Sequence, residues 1–237
     1  MRNAVFTTAI FLGIGTLASL GCSSNSPAAP NNGNAGAGGA DQDAAAADGA
    51  TADVEPGLEA GNAAKPYPAG PYGYAPGSTI QNYKFLGWKD PSAVNYTGDL
   101  EPIELADYYD PDGTKGIHAL FINASARWCV VCQGEQGDIK TQVVNYGPKG
   151  VAFLETLFED ANQYPAQPTD LAYWTKKYSI IWPTVLDPNN KLSPFFDTTA
   201  TPMNMIVDTK TMTVKALITG APQNQAWWDT NLQPLLK

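Results

Sequence analysis

The chain has 237 residues, a formal net charge of −9 and three cysteines. Its 23 acidic side chains outnumber 14 basic ones, and Arg127 is the only arginine after Arg2. This balance argues against binding to nucleic acid, which needs many lysines and arginines to neutralise phosphates. We interpret the acidic excess as a solvated surface.

Residues 1–21 have the composition of a secretory signal peptide. One positive charge at Arg2 precedes an apolar run, residues 4–20, that is too short to predict a membrane-spanning helix. Residues 17–22, Leu-Ala-Ser-Leu-Gly-Cys, resemble the bacterial lipoprotein box, whose cysteine is lipidated and becomes the first mature residue. The resemblance implies lipidation of Cys22. An ordinary signal peptide that leaves a free Cys22 is the alternative.

Residues 22–65 are predicted to form a disordered tether. They are mostly Ala, Gly, Asn, Ser and Asp, and they offer too little apolar area to offset chain entropy. A tether of about 40 residues reaches about 30–40 Å. Residues 66–237 are enough for one domain. Near its start, residues 65–77 alternate Pro, Tyr and Gly, which we interpret as an ordered collar rather than an extended ligand for an aromatic groove.

Strands alternate with helices along the domain until a terminal hairpin. This order predicts a mixed sheet with helices on both faces. The sole histidine, His118, falls within a predicted strand, where we expect a packed rather than a catalytic side chain. Strands are predicted over 83–88, 103–105, 117–123, 151–158, 182–187, 203–207 and 213–218. Helices are predicted from Cys132 to Gly147, from Thr169, over 191–196, and over 225–236, the last one bent or frayed near Pro234.

A Cys-x-x-Cys motif lies between an apolar strand and a helix. Cys129 is expected at the N-terminus of that helix, where free N–H groups and the helix dipole favour negative charge. Because a thiolate is the attacking species, Cys129 is predicted to be the nucleophile and Cys132 the resolving thiol. Strand, turn, Cys-x-x-Cys and helix together are typical of a thioredoxin-like redox motif.

Three other interpretations of this motif stay open. A zinc site needs two more Cys or His ligands, and only Cys22 and His118 remain, so we expect no metal and no other cofactor. A purely structural disulfide would close a very small loop and constrain little of the unfolded chain. Two inert buried thiols are the third alternative.

The sequence resembles the thioredoxin superfamily over residues 78–237, and within it the extracytoplasmic TlpA/ResA type of redoxin domain. Residues 123–132, Asn-Ala-Ser-Ala-Arg-Trp-Cys-Val-Val-Cys, match the end of the central strand and the redox motif, and Asn123 stands where this type has Asn. Glu135 matches a recurring glutamate, and Thr201-Pro202 matches the cis-proline loop. The resemblance implies an α/β, thioredoxin-like three-layer fold with an N-terminal strand extension and a C-terminal hairpin plus helix.

The resemblance also implies roles for residues around the two cysteines. Glu135 is expected to exchange protons if it is buried, the alternative being a surface helix residue. Pro202 is expected to be cis and to leave the backbone of Thr201 free to pair with an extended substrate. Trp128 is expected to bound the docking surface, with ordinary core packing as the alternative. Val130-Val131 departs from relatives with Pro before the second Cys, so no reduction potential carries over.

The resemblance implies a protein thiol–disulfide oxidoreductase that uses Cys129 and Cys132, and we expect it to act as a membrane-tethered reductant. Its expected partners are proteins with disulfides or thiols, an upstream redox partner, and a bacterial membrane reached through Cys22. Without Asp at position 23, the chain resembles lipoproteins of the outer membrane that face the periplasm.

Three other functions stay open. A thiol peroxidase needs Thr or Ser three residues before its Cys and a downstream Arg, but here Cys129 stands three residues before Cys132 and no arginine follows Arg127. A copper chaperone would bind Cu(I) through the paired thiolates, but proteins of that type have wider Cys spacing than this chain and a distal His that it lacks. A redox-inert binding module would keep only the fold.

Overall fold

A computed structural model describes residues 65–196 and 200–237. The predicted signal peptide, the lipidation site Cys22 and the tether as far as residue 64 lie outside the described residues. Within the two described ranges, no helix has both the length and the apolar character that crossing a bilayer requires.

The described residues form a single seven-stranded mixed sheet. Its strands are β1 (Lys84–Trp88), β2 (Glu101–Glu104), β3 (Ala119–Ala126), β4 (Val151–Glu159), β5 (Thr184–Leu186), β6 (Met203–Asp208) and β7 (Thr213–Thr219). Their order across the sheet is β2-β1-β5-β4-β3-β6-β7. β3, β4 and β5 run parallel, and the outer pairings are antiparallel. The predicted mixed sheet and terminal hairpin are confirmed.

Helices connect the parallel strands and close the chain. They are α1 (Val130–Tyr146), α2 (Pro168–Tyr178) and α3 (Gln225–Leu232). A 3-10 turn, Gln233–Leu235, follows α3 where the helix was predicted to bend or fray near Pro234. α2 begins at a proline, which suits the first helical position, and the Asp170 carboxylate accepts the backbone N–H of Gln167. Ser179 ends α2 in the left-handed region, with φ of 52°.

All three α-helices pack on one face of the sheet. Ile139 of α1, Trp174 of α2 and Trp228 of α3 share one core cluster with Phe121 and Phe153. Phe121 and Trp228 are in direct ring contact, with centroids 4.6 Å apart. Because successive side chains of a strand point to opposite faces, this face of β3 carries its odd-numbered residues.

The other face is covered by short 3-10 helices and irregular chain. Leu105 and Tyr108 of the 3-10 helix Leu105–Tyr108 pack with Leu120 and Ile122 of β3. A second 3-10 helix, Ser193–Phe195, adds Phe195 to the same cluster, and it is shorter than the helix predicted over 191–196. Helices therefore lie on both faces, but only one face has α-helices.

The central strand begins and ends later than the apolar pattern predicted. Its ladder with β4 starts at Ala119, opposite Val151, and continues to Ala126. The prediction that His118 is a strand residue is wrong, because His118 precedes this ladder and only its backbone N–H joins in, donating to Gly150 O at 2.7 Å. His118 is half-buried. The strand predicted over 182–187 is likewise reduced to Thr184–Leu186.

The Pro- and Tyr-rich segment lies on the domain as a collar, as predicted. The Tyr67 hydroxyl donates to Ile80 O at 2.9 Å, and the Tyr67 ring contacts the Tyr109 ring edge-on at 5.6 Å. Gly77 N donates to Val214 O at 2.8 Å, which attaches the collar to β7.

Candidate active site

The two cysteines form a disulfide at the start of α1. Cys129 is the N-cap residue, and its Sγ accepts the backbone N–H of Cys132 at 3.0 Å. Cys132 is fully buried and Cys129 is 3% exposed. A thiolate on Cys129 after reduction would keep this N–H donor and the positive end of the helix dipole. In the described ranges, no group of three or more His, Cys, Asp or Glu side chains is placed to hold a metal ion.

The Thr201–Pro202 loop faces the disulfide. The peptide bond between these two residues is cis, as predicted, and Cys129 Sγ lies 3.6 Å from Thr201 O. The β6 ladders with β3 and β7 begin at Met203, so Thr201 lies two residues before the first paired residue. The backbone of Thr201 is therefore next to the sulfur and outside the ladders of the described sheet.

Apolar side chains border the disulfide on its solvent side. Val130 is 79% exposed and Val131 is 50% exposed, although both are apolar residues of α1. Trp128 is partly buried against the core, and its Nε1–H donates to Glu159 Oε2 at 2.6 Å. This placement agrees with the core-packing alternative for Trp128, while its role at a docking surface stays a prediction.

A row of polar side chains crosses the sheet behind the disulfide. Asn204 of β6 pairs in register with Asn123 of β3, which pairs with Glu155 of β4, which pairs with Thr184 of β5. Residues in register share a face, so all four point toward the α-helices. All four are buried. Buried polar groups need hydrogen-bond partners, so the side of α1 that faces this row must supply polar side chains.

Glu135 of α1 meets this row. Asn123 Nδ2 donates to Glu135 Oε1 at 2.7 Å, and Asn204 Nδ2 donates to Glu135 Oε2 at 2.9 Å. Glu135 is 3% exposed, so the surface-residue alternative is wrong. Burial raises the pKa of Glu135 to about 7, although the two amide donors oppose the rise.

Glu155 is a second buried carboxyl, and sequence reasoning missed it. It is 0% exposed, and its Oε1 accepts Gln136 Nε2–H at 3.1 Å and Trp174 Nε1–H at 2.9 Å. Burial first, and then the nearby Glu135 carboxyl, raises the pKa of Glu155 to about 8. Its signal was a lone acid inside an apolar strand that is covered on both faces.

Arg127 fixes the loop that leads into the redox motif. Its guanidinium pairs with the Asp170 carboxylate and lies over the Tyr173 ring, 4.0 Å from the centroid. Its backbone N–H donates to Glu159 O at 3.0 Å, and its carbonyl accepts Gln133 Nε2–H at 2.9 Å. The loop is therefore attached to α2, β4 and α1 together, a role that the sequence did not indicate.

No protein-family profile and no curated protein matches the chain. Solved structures do match it. A Chlorobium tepidum protein, provisionally named thiol:disulfide interchange protein DsbE, has a TM-score of 0.53 at 13% identity, over 70% of this chain and 100% of its own. A secreted thiol-disulfide isomerase from Corynebacterium glutamicum has a TM-score of 0.50 at 14% identity, over 67% of this chain and 85% of its own. An uncharacterised Geobacillus kaustophilus protein has a TM-score of 0.53 at 19% identity, over 69% of this chain and 82% of its own. The predicted thioredoxin-like fold is confirmed.

The buried carboxyls make a prediction about stability and pH. A carboxyl whose pKa is raised on folding stabilises the folded state below its ordinary pKa, and that stability is lost as pH rises through the folded value. We expect the free energy of unfolding to fall between about pH 5 and about pH 8, with about 3 kcal/mol of the fall from Glu135. Urea unfolding of Glu135→Gln at several pH values should give a shallower fall.

Glu104→Gln is the matched control, because the contact of Glu104 with Lys84 lowers the pKa of that surface carboxyl. Removing the Glu104 carboxyl should leave the fall in the free energy of unfolding between about pH 5 and about pH 8 unchanged. A Glu135→Gln variant with the full wild-type fall would contradict the assignment.

Proposed function

We propose that the chain is a protein thiol–disulfide oxidoreductase whose redox-active pair is Cys129 and Cys132. The observation that carries the proposal is the disulfide at the N-cap of α1, with Cys129 Sγ 3.6 Å from Thr201 O in the cis-proline loop. The names of the C. tepidum and C. glutamicum proteins, which share the fold, agree with this activity.

The reduced pair transfers two electrons to a substrate disulfide in two steps. The Cys129 thiolate attacks one substrate sulfur, the substrate S–S bond breaks, and the other sulfur leaves as a thiolate that takes up a proton. Cys132 then loses its proton and attacks Cys129 Sγ in the mixed disulfide. The second substrate thiol is released, and the Cys129–Cys132 disulfide remains. The substrate has gained the two electrons that the pair has lost.

Glu135 is the base in the second step of this proposal. It lies three residues after Cys132 on α1, one turn along the same face, and both residues are buried. Asn123 and Asn204 hold its carboxyl oxygens in place. With a pKa raised to about 7, Glu135 can take the proton of Cys132 and release it again near neutral pH.

The substrate is an extended segment that pairs with the backbone of Thr201. Such pairing gives affinity through main-chain hydrogen bonds, while nearby side chains give selectivity. Val130 and Val131 supply an exposed apolar contact beside the disulfide, and Trp128 bounds that contact from the core side. Pro202 holds the loop that brings Thr201 to the sulfur.

The direction of electron flow in this proposal is reductive. The Cys129 sulfur contacts one backbone N–H and one carbonyl oxygen, and no cationic side chain is among its polar contacts in the described residues. Two carboxyls are buried behind the pair. Strongly oxidising pairs owe their potential to a stabilised thiolate form, and these surroundings stabilise a thiolate less. An upstream donor must then reduce the disulfide again.

Trapping experiments test the exchange mechanism. In the full chain with Cys22→Ser, purified in detergent, Cys132→Ser should accumulate a mixed disulfide with oxidised insulin, because no second thiol can resolve it. Cys129→Ser should form none. Glu135→Gln should slow the resolving step by about 100-fold, at the lower end of what general acid–base catalysis contributes. Non-reducing gels and stopped-flow kinetics measure these outcomes. A Cys129→Ser protein that still reduces insulin would contradict the mechanism.

A redox titration tests the direction. Equilibration of the Cys129–Cys132 pair with a dithiol/disulfide buffer should give a reduction potential of about −270 mV, as in thioredoxin-like reductants. A potential of about −120 mV would instead indicate a disulfide donor, and the reductive direction would be wrong.

We also propose that the protein is a lipoprotein that acts outside the cytoplasm. The support is the residue pattern up to Cys22, together with the secreted C. glutamicum isomerase that shares the fold. Expressed in a bacterium with an outer membrane, the wild-type chain should fractionate with that membrane and carry lipid on Cys22. Cys22→Ser should release it to the soluble fraction, while the neighbouring Ser24→Ala control should not. An unmodified Cys22 in the mature chain, detected by mass spectrometry, contradicts the anchor.

A further inference from the structure

The redox centre contains one more buried carboxyl than the proposed mechanism uses. Glu155 Oε1 has two donors, but Glu155 Oε2 is buried with no hydrogen-bond partner among the described residues. The Ser125 hydroxyl is near enough to lower the Glu155 pKa, but it donates to Asn123 Oδ1 at 2.6 Å. Gln136 Oε1 is likewise buried and has no hydrogen-bond partner among the described residues. Buried oxygens without partners are costly, so both atoms need an explanation.

The two atoms belong to side chains that already touch. Gln136 Nε2–H donates to Glu155 Oε1 at 3.1 Å. A protonated carboxyl has one O–H donor, and a primary amide has one free carbonyl acceptor beside its donor. One proton on Glu155 Oε2 would therefore provide a donor for Gln136 Oε1. The same proton would satisfy both unpartnered oxygens.

The groups around Glu155 offer no cation that would hold it ionised. It is faced by Asn123 and Ser125 of β3, by Thr184 of β5, by Trp174 of α2, and by Gln136 and Glu135 of α1. Glu135 is the only other ionisable side chain in that set, and the Asp138 carboxylate adds further negative charge near Glu135. The ion pairs of the described residues are Lys84–Glu104, Lys89–Glu101, Arg127–Asp170 and Lys215–Asp208, and none includes these two carboxyls.

We propose that Glu155 holds a proton in the resting protein, donates it in a hydrogen bond to Gln136, and so leaves Glu135 as the ionisable base of the redox centre. Glu155 is then a positioning residue, because it acts through its neighbours. Its raised pKa agrees with this assignment. This inference deepens the proposed function and rests on it for its role in exchange.

The assignment also connects Glu155 to the resolving cysteine. Gln136 Nε2 lies 3.3 Å from Cys132 O as well as 3.1 Å from Glu155 Oε1. With Glu155 neutral, the Cys132 thiol faces only one carboxylate, Glu135, when it loses its proton. If Glu155 also ionised, a second negative charge would oppose both the ionisation of Glu135 and the formation of the Cys132 thiolate. The resolving step should therefore slow at alkaline pH.

Infrared spectroscopy of the full chain labelled with 13C-glutamate can locate the proton. We expect the carbonyl band of a protonated, hydrogen-bonded glutamic acid at neutral pH in the wild type. Glu155→Gln should remove the larger part of the band, and Glu135→Gln should remove only the smaller part that Glu135, with its pKa of about 7, contributes at neutral pH. Asp187→Asn removes another buried carboxyl, one bonded to Lys191 N and Leu192 N, and should keep the band. A band that Glu135→Gln reduces more than Glu155→Gln does overturns the proposal.

Two further readouts keep the test decisive if Glu155→Gln does not fold. Gln136→Met removes the acceptor, so the wild-type band should shift to the frequency of a free acid; an unshifted band rules out the bond to Gln136. The pH profile of mixed-disulfide resolution should show an alkaline decline in the wild type. Glu155→Gln, where it folds, should lack that decline, and a retained decline contradicts the role in exchange.

The infrared measurement needs no substrate, so it separates this inference from the proposed function. If the protein fails to reduce insulin but the band behaves as expected, the proton assignment stands and the proposed function fails. If insulin is reduced but no such band exists, the function stands and the Glu155 assignment fails.

Discussion

The structure depends on satisfying polar side chains in the middle of a sheet that is covered on both faces. Asn123, Asn204 and Glu155 are buried, so their hydrogen bonds must come from other parts of the protein. Asn123 and Asn204 bond to each other, but the remaining polar atoms of the row need partners from the helices above them. Glu135 and Gln136 meet that need from adjacent positions of α1. A rotation of α1 about its axis would leave several buried groups unpaired. The polar row therefore fixes how the helix docks, and through it where the helix start and its sulfur lie.

This arrangement subjects the sulfur pair to two opposing electrostatic influences. The start of α1 favours a thiolate on Cys129 through the dipole and the Cys132 N–H. The interior behind it is acidic and dry, which disfavours negative charge on Cys132. The two sulfurs are three residues apart but have unlike surroundings, one at the helix end and one inside the core. That difference suits a pair in which one thiol must attack first and the other must wait until a proton can leave.

Prediction from sequence succeeded where a local pattern determines local structure. The spacing of Cys129 and Cys132 indicated the motif, because it depends on a few neighbouring residues. The cis-proline loop at Thr201-Pro202 was expected only from the family resemblance. The boundaries of β3 were missed, since apolar character continues past the point where pairing with β4 begins, and His118 was misplaced for that reason. Glu155 was missed because its partners come from α1 and α2, which only the folded chain brings together. The fold class was readable from alternation, but the one-sided placement of the α-helices depends on the direction of successive crossovers.

The collar has a consequence for how these molecules behave when crowded. An exposed sheet edge can recruit the edge of another molecule and start aggregation. Residues 77–80 hydrogen-bond to the outer side of β7 around Val214, so that part of the edge is already occupied. At the opposite edge, β2 is four residues long and contains Pro102 between charged ends, which makes it a poor template. The occupied part of the β7 edge and the short, proline-containing β2 edge therefore leave little unpaired strand for a second copy of the chain to extend.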